Sequence, residues 1–121
     1  MSENQFDAVI AQISTSVQGF IAASLVDLDS GMPLASRTSR PDFDLDVASA
    51  YNSELVKAKL NTMRVLNITT GLEDMLLTLG DQLHLIQLVG DGAFIYVAAD
   101  RSSTNLALLR NAVKSAATAL G

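Results

Sequence analysis

The chain has no cysteine and no tryptophan, and it holds one histidine and two prolines among 121 residues. Without cysteine there is neither a disulfide framework nor a thiolate metal site, which suits a reducing compartment. Basic charge is scarce as well. Eight Lys and Arg stand against 13 Asp and Glu, for a net charge of −5. The basic residues are scattered, so a phosphate backbone is not the expected partner. No apolar run approaches the length of a membrane span. The opening Met1-Ser2-Glu3-Asn4-Gln5 is polar and acidic, unlike the basic flank and apolar stretch of a secretory leader. The expected setting is the cytoplasm, with neither nucleic acid nor membrane as partner.

What is present is apolar. The composition is 49% hydrophobic and 17% charged, rich for a chain of this size, which points to apolar surface kept for a partner. A single domain over residues 1–121 is expected, long enough to bury roughly two-thirds of its unfolded surface without a staple. Phe6, Val9, Ile10, Ile13 and Val17 recur at helical spacing up to Gly19. Phe20 to Leu28 is nearly continuous in apolar residues, as a central strand requires. Asp29-Ser30-Gly31 turns the chain into a returning strand, Pro33 to Thr38, in which Pro33 and Arg37 protect an edge.

Asp44 is placed to cap a long helix running to Asn67, uninterrupted by Gly or Pro. Two stripes line that helix: Val47, Tyr51, Leu55, Ala58, Thr62 and Val65, and beside them Ala48, Val56, Leu60 and Met63. Together they are wider than the roughly 100° that packing on one sheet needs, so one stripe is expected to face something else. Tyr51 fits either burial against the sheet or an amphipathic interface anchor. Glu73 to Leu79, Leu83 to Val89 and Ala93 to Ala99 read as an antiparallel meander apolar on both parities, a sheet covered on both sides. A last helix carries Leu106, Leu109, Val113, Ala116 or Ala117, and Leu120 inward, with Arg110 and Lys114 outward.

Chemistry-bearing patterns are weak. Asp42, Asp44 and Asp46 alternate as in a calcium loop, but Val47 and Ser53 replace the required Gly and Glu, so helix capping accounts for them better. His84 stands on a strand without an adjacent acid or a cysteine and reads as structural. Gly90-Asp91-Gly92 lacks the lysine and the helix start of a phosphate loop, leaving a hairpin turn. Glu73 and Asp74 point to opposite faces, which rules out a shared acid–base site. No enzyme, cofactor or metal is expected.

The stretches Leu25-Val26-Asp27-Leu28-Asp29-Ser30-Gly31-Met32-Pro33-Leu34-Ala35, Gly90-Asp91-Gly92 before Ala93 to Val97, and Asn105-Leu106-Ala107-Leu108-Leu109-Arg110 resemble the roadblock family of dynein light chains and bacterial GTPase regulators. The resemblance implies an α/β domain with a five-stranded antiparallel sheet in order 2-1-5-4-3. Two helices would lie on one face and the long helix on the other. It also implies a noncatalytic homodimer made by pairing the third strands and packing the long helices side by side, and a Ras-like small GTPase as partner. On that map Tyr51, Leu55, Ala58, Thr62, Glu73, Met75, Leu77 and Leu79 form the homodimer interface, and Asn52, Lys59 and Arg64 contact the partner. A small-ligand sensory module or an adaptor subunit of a larger signalling or motor complex is the alternative.

Overall fold

The computed structural model describes residues 3–121; Met1 and Ser2, part of the polar opening, lie outside the described residues. The elements run α1 (Glu3–Ser16), β1 (Phe20–Asp27), β2 (Pro33–Thr38), α2 (Leu45–Val65), β3 (Asp74–Thr78), β4 (Gln82–Val89), β5 (Ala93–Asp100) and α3 (Leu106–Leu120). The five strands form one antiparallel sheet in the order β2-β1-β5-β4-β3. Central strands β1 and β5 are buried on both faces, as their unbroken apolar runs require.

α1 and α3 share one face, with Ile10, Ile13, Leu85, Val97, Leu109 and Val113 in the core beneath them. α2 covers the other face over Ile21, Val26, Ile86, Phe94 and Tyr96. The Asp44 carboxylate accepts from the Val47 amide at 3.1 Å and caps α2, as the sequence predicts. Small residues bring α2 close to β1. Ser49 and Ser53, one turn apart, are buried; the Ser24 and Ser49 hydroxyls bond at 3.1 Å, and Ser53 lies against Gly31 in the β1–β2 turn.

Ser53 Oγ is buried without a hydrogen-bond partner. A desolvated, unpaired hydroxyl is a cost that alanine removes, and alanine is also the better helix former. Ser53→Ala is expected to stabilise the fold by about 1 kcal/mol in urea titrations, whereas Ser49→Ala orphans Ser24 and destabilises by about the same amount.

Four details depart from the sequence reading. Glu73 and Leu79 flank β3 rather than belonging to it, although their backbones still bond β4. Leu106 opens α3 half out of the core, 37% exposed. Arg110 does not simply face outward; it reaches across to Asp74 on β3, Nε to Oδ2 at 3.4 Å. The fourth concerns the α2 face of the sheet. α1 lies over β1 and β2 and α3 over β4 and β5, but the close approaches of α2 are to β1 and β2. The chain's own helix therefore leaves the β3 and β4 side of that face only partly covered.

Candidate assembly interface

β3 is an outer strand, bonded to β4 alone. Its register pairs Asp74 with Gln87, Met75 with Ile86, Leu76 with Leu85, Leu77 with His84 and Thr78 with Leu83. The Leu88 amide donates to the Glu73 carbonyl, and the Leu79 amide to the Gln82 carbonyl. Bonds in an antiparallel ladder alternate, so the odd residues 73, 75, 77 and 79 turn their backbone groups toward β4. The even residues, Asp74, Leu76 and Thr78, turn theirs to the open edge. No proline, bulge or inward lysine blunts it. The opposite edge, β2, begins at Pro33 and is irregular between Leu25 and Val26 of its neighbour, so it is the guarded one.

Beside the open edge lies apolar side-chain surface. Met75 and Leu77 pack against the α2-side core and stay half-buried, while Leu76 packs on the opposite side against the α1–α3 core. The outer flank of α2 exposes Val47 (50%), Tyr51 (75%) and Val65 (65%). Ala58 and Thr62 lie between them on the same stripe and are exposed, with Thr62 Oγ1 donating to the Ala58 carbonyl at 2.9 Å. Leu55 is partly buried in the core. The second stripe faces the sheet: Val56 and Met63 are buried, and Ala48 and Leu60 pack beside them. Tyr51 thus takes the exposed one of its two readings. Glu73 and Leu79 are exposed at the ends of β3.

The charges of α2 are segregated. Asp44 and Asp46 mark its N-terminus and Glu54 its first half, whereas Lys57, Lys59 and Arg64 follow. Lys57 is tied down, donating to the Asp29 carbonyl at 3.0 Å with Glu54 at 3.5 Å. Lys59 is exposed, and exposed Arg64 donates to Asn61 Oδ1 at 2.6 Å.

Asn52 is half-buried rather than presented to solvent. Its Nδ2 donates to the Ala48 carbonyl at 2.8 Å, and its side chain also bonds the Tyr96 hydroxyl. Burial pushes the Tyr96 phenol up to about 12, so it stays protonated. Tyr96 Oη lies 3.2 Å from His84 Nδ1, and His84 Nε2 lies 2.7 Å from Gln82 Oε1. An amide oxygen only accepts. Nε2 therefore carries the proton and Nδ1 accepts from Tyr96, with the two rings edge to face at 5.4 Å.

Burial holds the His84 pKa below its usual 6.5, partly offset by nearby Asp81. A base with a depressed folded pKa stabilises fully above its unfolded value and less as pH falls from there toward the folded pKa. Thermal stability is expected to fall as the pH drops below about 6.5, and His84→Gln should flatten that slope. Asp27 and Asp100, lowered by their serine neighbours in the turns, lose their contribution only at more acid pH, below 3.8.

Among the described residues, no cluster of His, Asp or Glu is arranged to hold a metal ion, and no helix is long and apolar enough to cross a membrane. What the site has is complementary backbone, apolar flank and segregated charge.

No family model matches the chain, and no curated protein matches it by sequence. Solved structures do match. MglB of Myxococcus xanthus superposes with a TM-score of 0.87 at 17% identity, over 97% of this chain and 85% of that one. A Roadblock/LC7 domain from Streptomyces avermitilis superposes at 0.82 with 18% identity, covering 93% and 92%. The chain has the roadblock/LC7 fold. An MglB solved with a tetrameric arrangement gives 0.85 at 18% identity, over 98% of this chain and 86% of that one. In this fold β3 is the outer strand, and α2 is alone on its face of the sheet with its close approaches to β1 and β2.

Proposed function

We propose that the chain is a noncatalytic regulator or scaffold that acts as a homodimer and binds a Ras-like small GTPase. The observations that carry this reading are the unguarded β3 edge and the exposed apolar stripe of α2, on a fold shared with MglB. Likeness to an MglB described as tetrameric supports self-assembly. The homodimer face comprises Tyr51, Leu55, Ala58, Thr62, Glu73, Met75, Leu77 and Leu79. Lys59 and Arg64 meet the GTPase from the basic half of α2, with Asn52 set deeper on the same helix. The regulator needs no cofactor or metal of its own, because the catalytic groups belong to the GTPase, and it works in the cytoplasm.

The deciding experiment is co-purification with a Ras-like GTPase in both nucleotide states, followed by hydrolysis with and without this chain. Binding that depends on nucleotide, with faster hydrolysis, is the outcome expected of a regulator. Binding without a change in rate assigns scaffolding, and the absence of binding in either state removes the GTPase from the reading.

A further inference from the structure

We infer that Asn52, Tyr96 and His84 form a proton-sensitive latch that fastens α2 to the β4–β5 half of the sheet, and that charging His84 releases the helix at Asn52. The inference depends neither on the homodimer nor on a GTPase. The helix it loosens is the one that carries the exposed Tyr51 stripe.

Helix α2 lies close to β1 and β2, and toward β5 it reaches with Asn52, which bonds the Tyr96 hydroxyl. The bonds run in one direction. Asn52 Nδ2 gives one hydrogen to the Ala48 carbonyl at 2.8 Å. Its bond to Tyr96 favours the phenolate, as a donated hydrogen does and an accepted one does not, so the second hydrogen goes to Tyr96 Oη. The Tyr96 proton then points to His84 Nδ1 at 3.2 Å, and the His84 Nε2 proton to Gln82 Oε1 at 2.7 Å. Turning the Asn52 amide over would set its oxygen against the Ala48 carbonyl oxygen, so the polarity cannot reverse. The chain needs the lone pair of a neutral imidazole.

A proton on Nδ1 takes that lone pair. Tyr96 is 1% exposed; its oxygen would then receive hydrogens from Asn52 and from His84, while its own proton loses its acceptor. A buried donor without a partner is costly. Water relieves it, entering from the β3–β4 side that α2 covers only partly, once Asn52 lets go.

The surroundings do not absorb the new charge. Leu77 of β3 and Ala98 of β5 flank His84. Asp81 in the β3–β4 turn favours the charged ring, but burial outweighs it. Arg101 sits at the same turn, donating to the Leu79 carbonyl. Asp100, opposite Gln82, has its carboxylate engaged by Ser102 and Ser103. On α2, Lys57 is held at the Asp29 carbonyl, and Glu54 and Lys59 are exposed.

His84 is the single histidine of the chain, so nitrogen NMR follows its ring without ambiguity. The neutral ring should carry its proton on Nε2. Tyr96→Phe and Asn52→Ala should each raise the proton affinity of His84 about three- to tenfold, although Asn52 acts on the ring only through Tyr96; if Tyr96→Phe does not fold, Asn52→Ala decides alone. Amide exchange around Asn52, corrected for its intrinsic pH dependence, should speed up by as much as about tenfold from about pH 7.5 to about 5.5. Amides of α1 and α3, on the other face, should not follow, and His84→Gln should abolish the rise. A neutral ring protonated on Nδ1 overturns the direction of the chain. A His84 titration that Asn52→Ala leaves unmoved or lowers, or exchange that rises equally in all three helices, overturns the latch and leaves a histidine that is merely buried.

Discussion

Thr78→Pro should leave the fold intact and weaken the proposed homodimer. The Thr78 side chain is exposed and its amide faces the open edge, so proline removes no bond to β4 and is tolerated where an edge amide meets solvent. Across a two-fold it removes two intermolecular bonds and sets a ring against the partner's backbone. At roughly 0.5–1.5 kcal/mol per bond the dissociation constant should rise about 10- to 100-fold, read by sedimentation over a concentration series. The control is one residue away. Leu77 turns its backbone to His84, so Leu77→Pro breaks the internal ladder and should cost about 3 kcal/mol or more of fold stability. If both variants unfold alike, or if Thr78→Pro stays dimeric with unchanged affinity, the alternation assigned to β3 is wrong.

Gly31→Val should act on fold and assembly together. Gly31 has φ +73°, and an added Cβ would lie 3.3 Å from the Ala50 Cα and 3.4 Å from Ser53 Oγ. A β-branched residue there carries left-handed strain of about 1–3 kcal/mol, and the crowding adds to it by pushing the α2 backbone off the β1–β2 turn. A total loss of about 3 kcal/mol is a large share of a typical 5–15 kcal/mol stability and is measurable by urea unfolding. Because Tyr51 is carried by the displaced stretch of α2, dimer affinity should weaken with it. A change below about 0.5 kcal/mol would mean that the helix yields at this contact without cost.

Much of the fold was legible because local chemistry and global packing agree. Pro33–Thr38 has the bounds its residues specify, and Asp44 caps the helix it precedes. The strand order rested on the family resemblance, since short apolar strands do not announce their neighbours. The candidate site was legible in outline only. The two stripes of α2 are similarly apolar, and only the offset of the helix over β1 and β2 decides that the Tyr51 stripe is exposed. Asn52 looked like surface because Tyr96, which draws it inward, lies 44 residues away in the chain. Side-chain parity shows which face a residue takes and not which way its amide turns; that the Leu76 amide faces the open edge follows from the phase of the ladder with β4. The Arg110–Asp74 pair spans 36 residues and leaves no local signal.

The most direct test of the central claim is amide hydrogen exchange along β3 at a protein concentration above that of assembly. Leu76 is the outward amide whose exchange decides, with Met75 and Leu77 as the internal reference. If a second copy pairs with the edge, the Leu76 amide exchanges as slowly as its two neighbours and speeds up on dilution. Fast exchange at Leu76 beside slow exchange at Met75 and Leu77, at every concentration, would show an edge that meets only water.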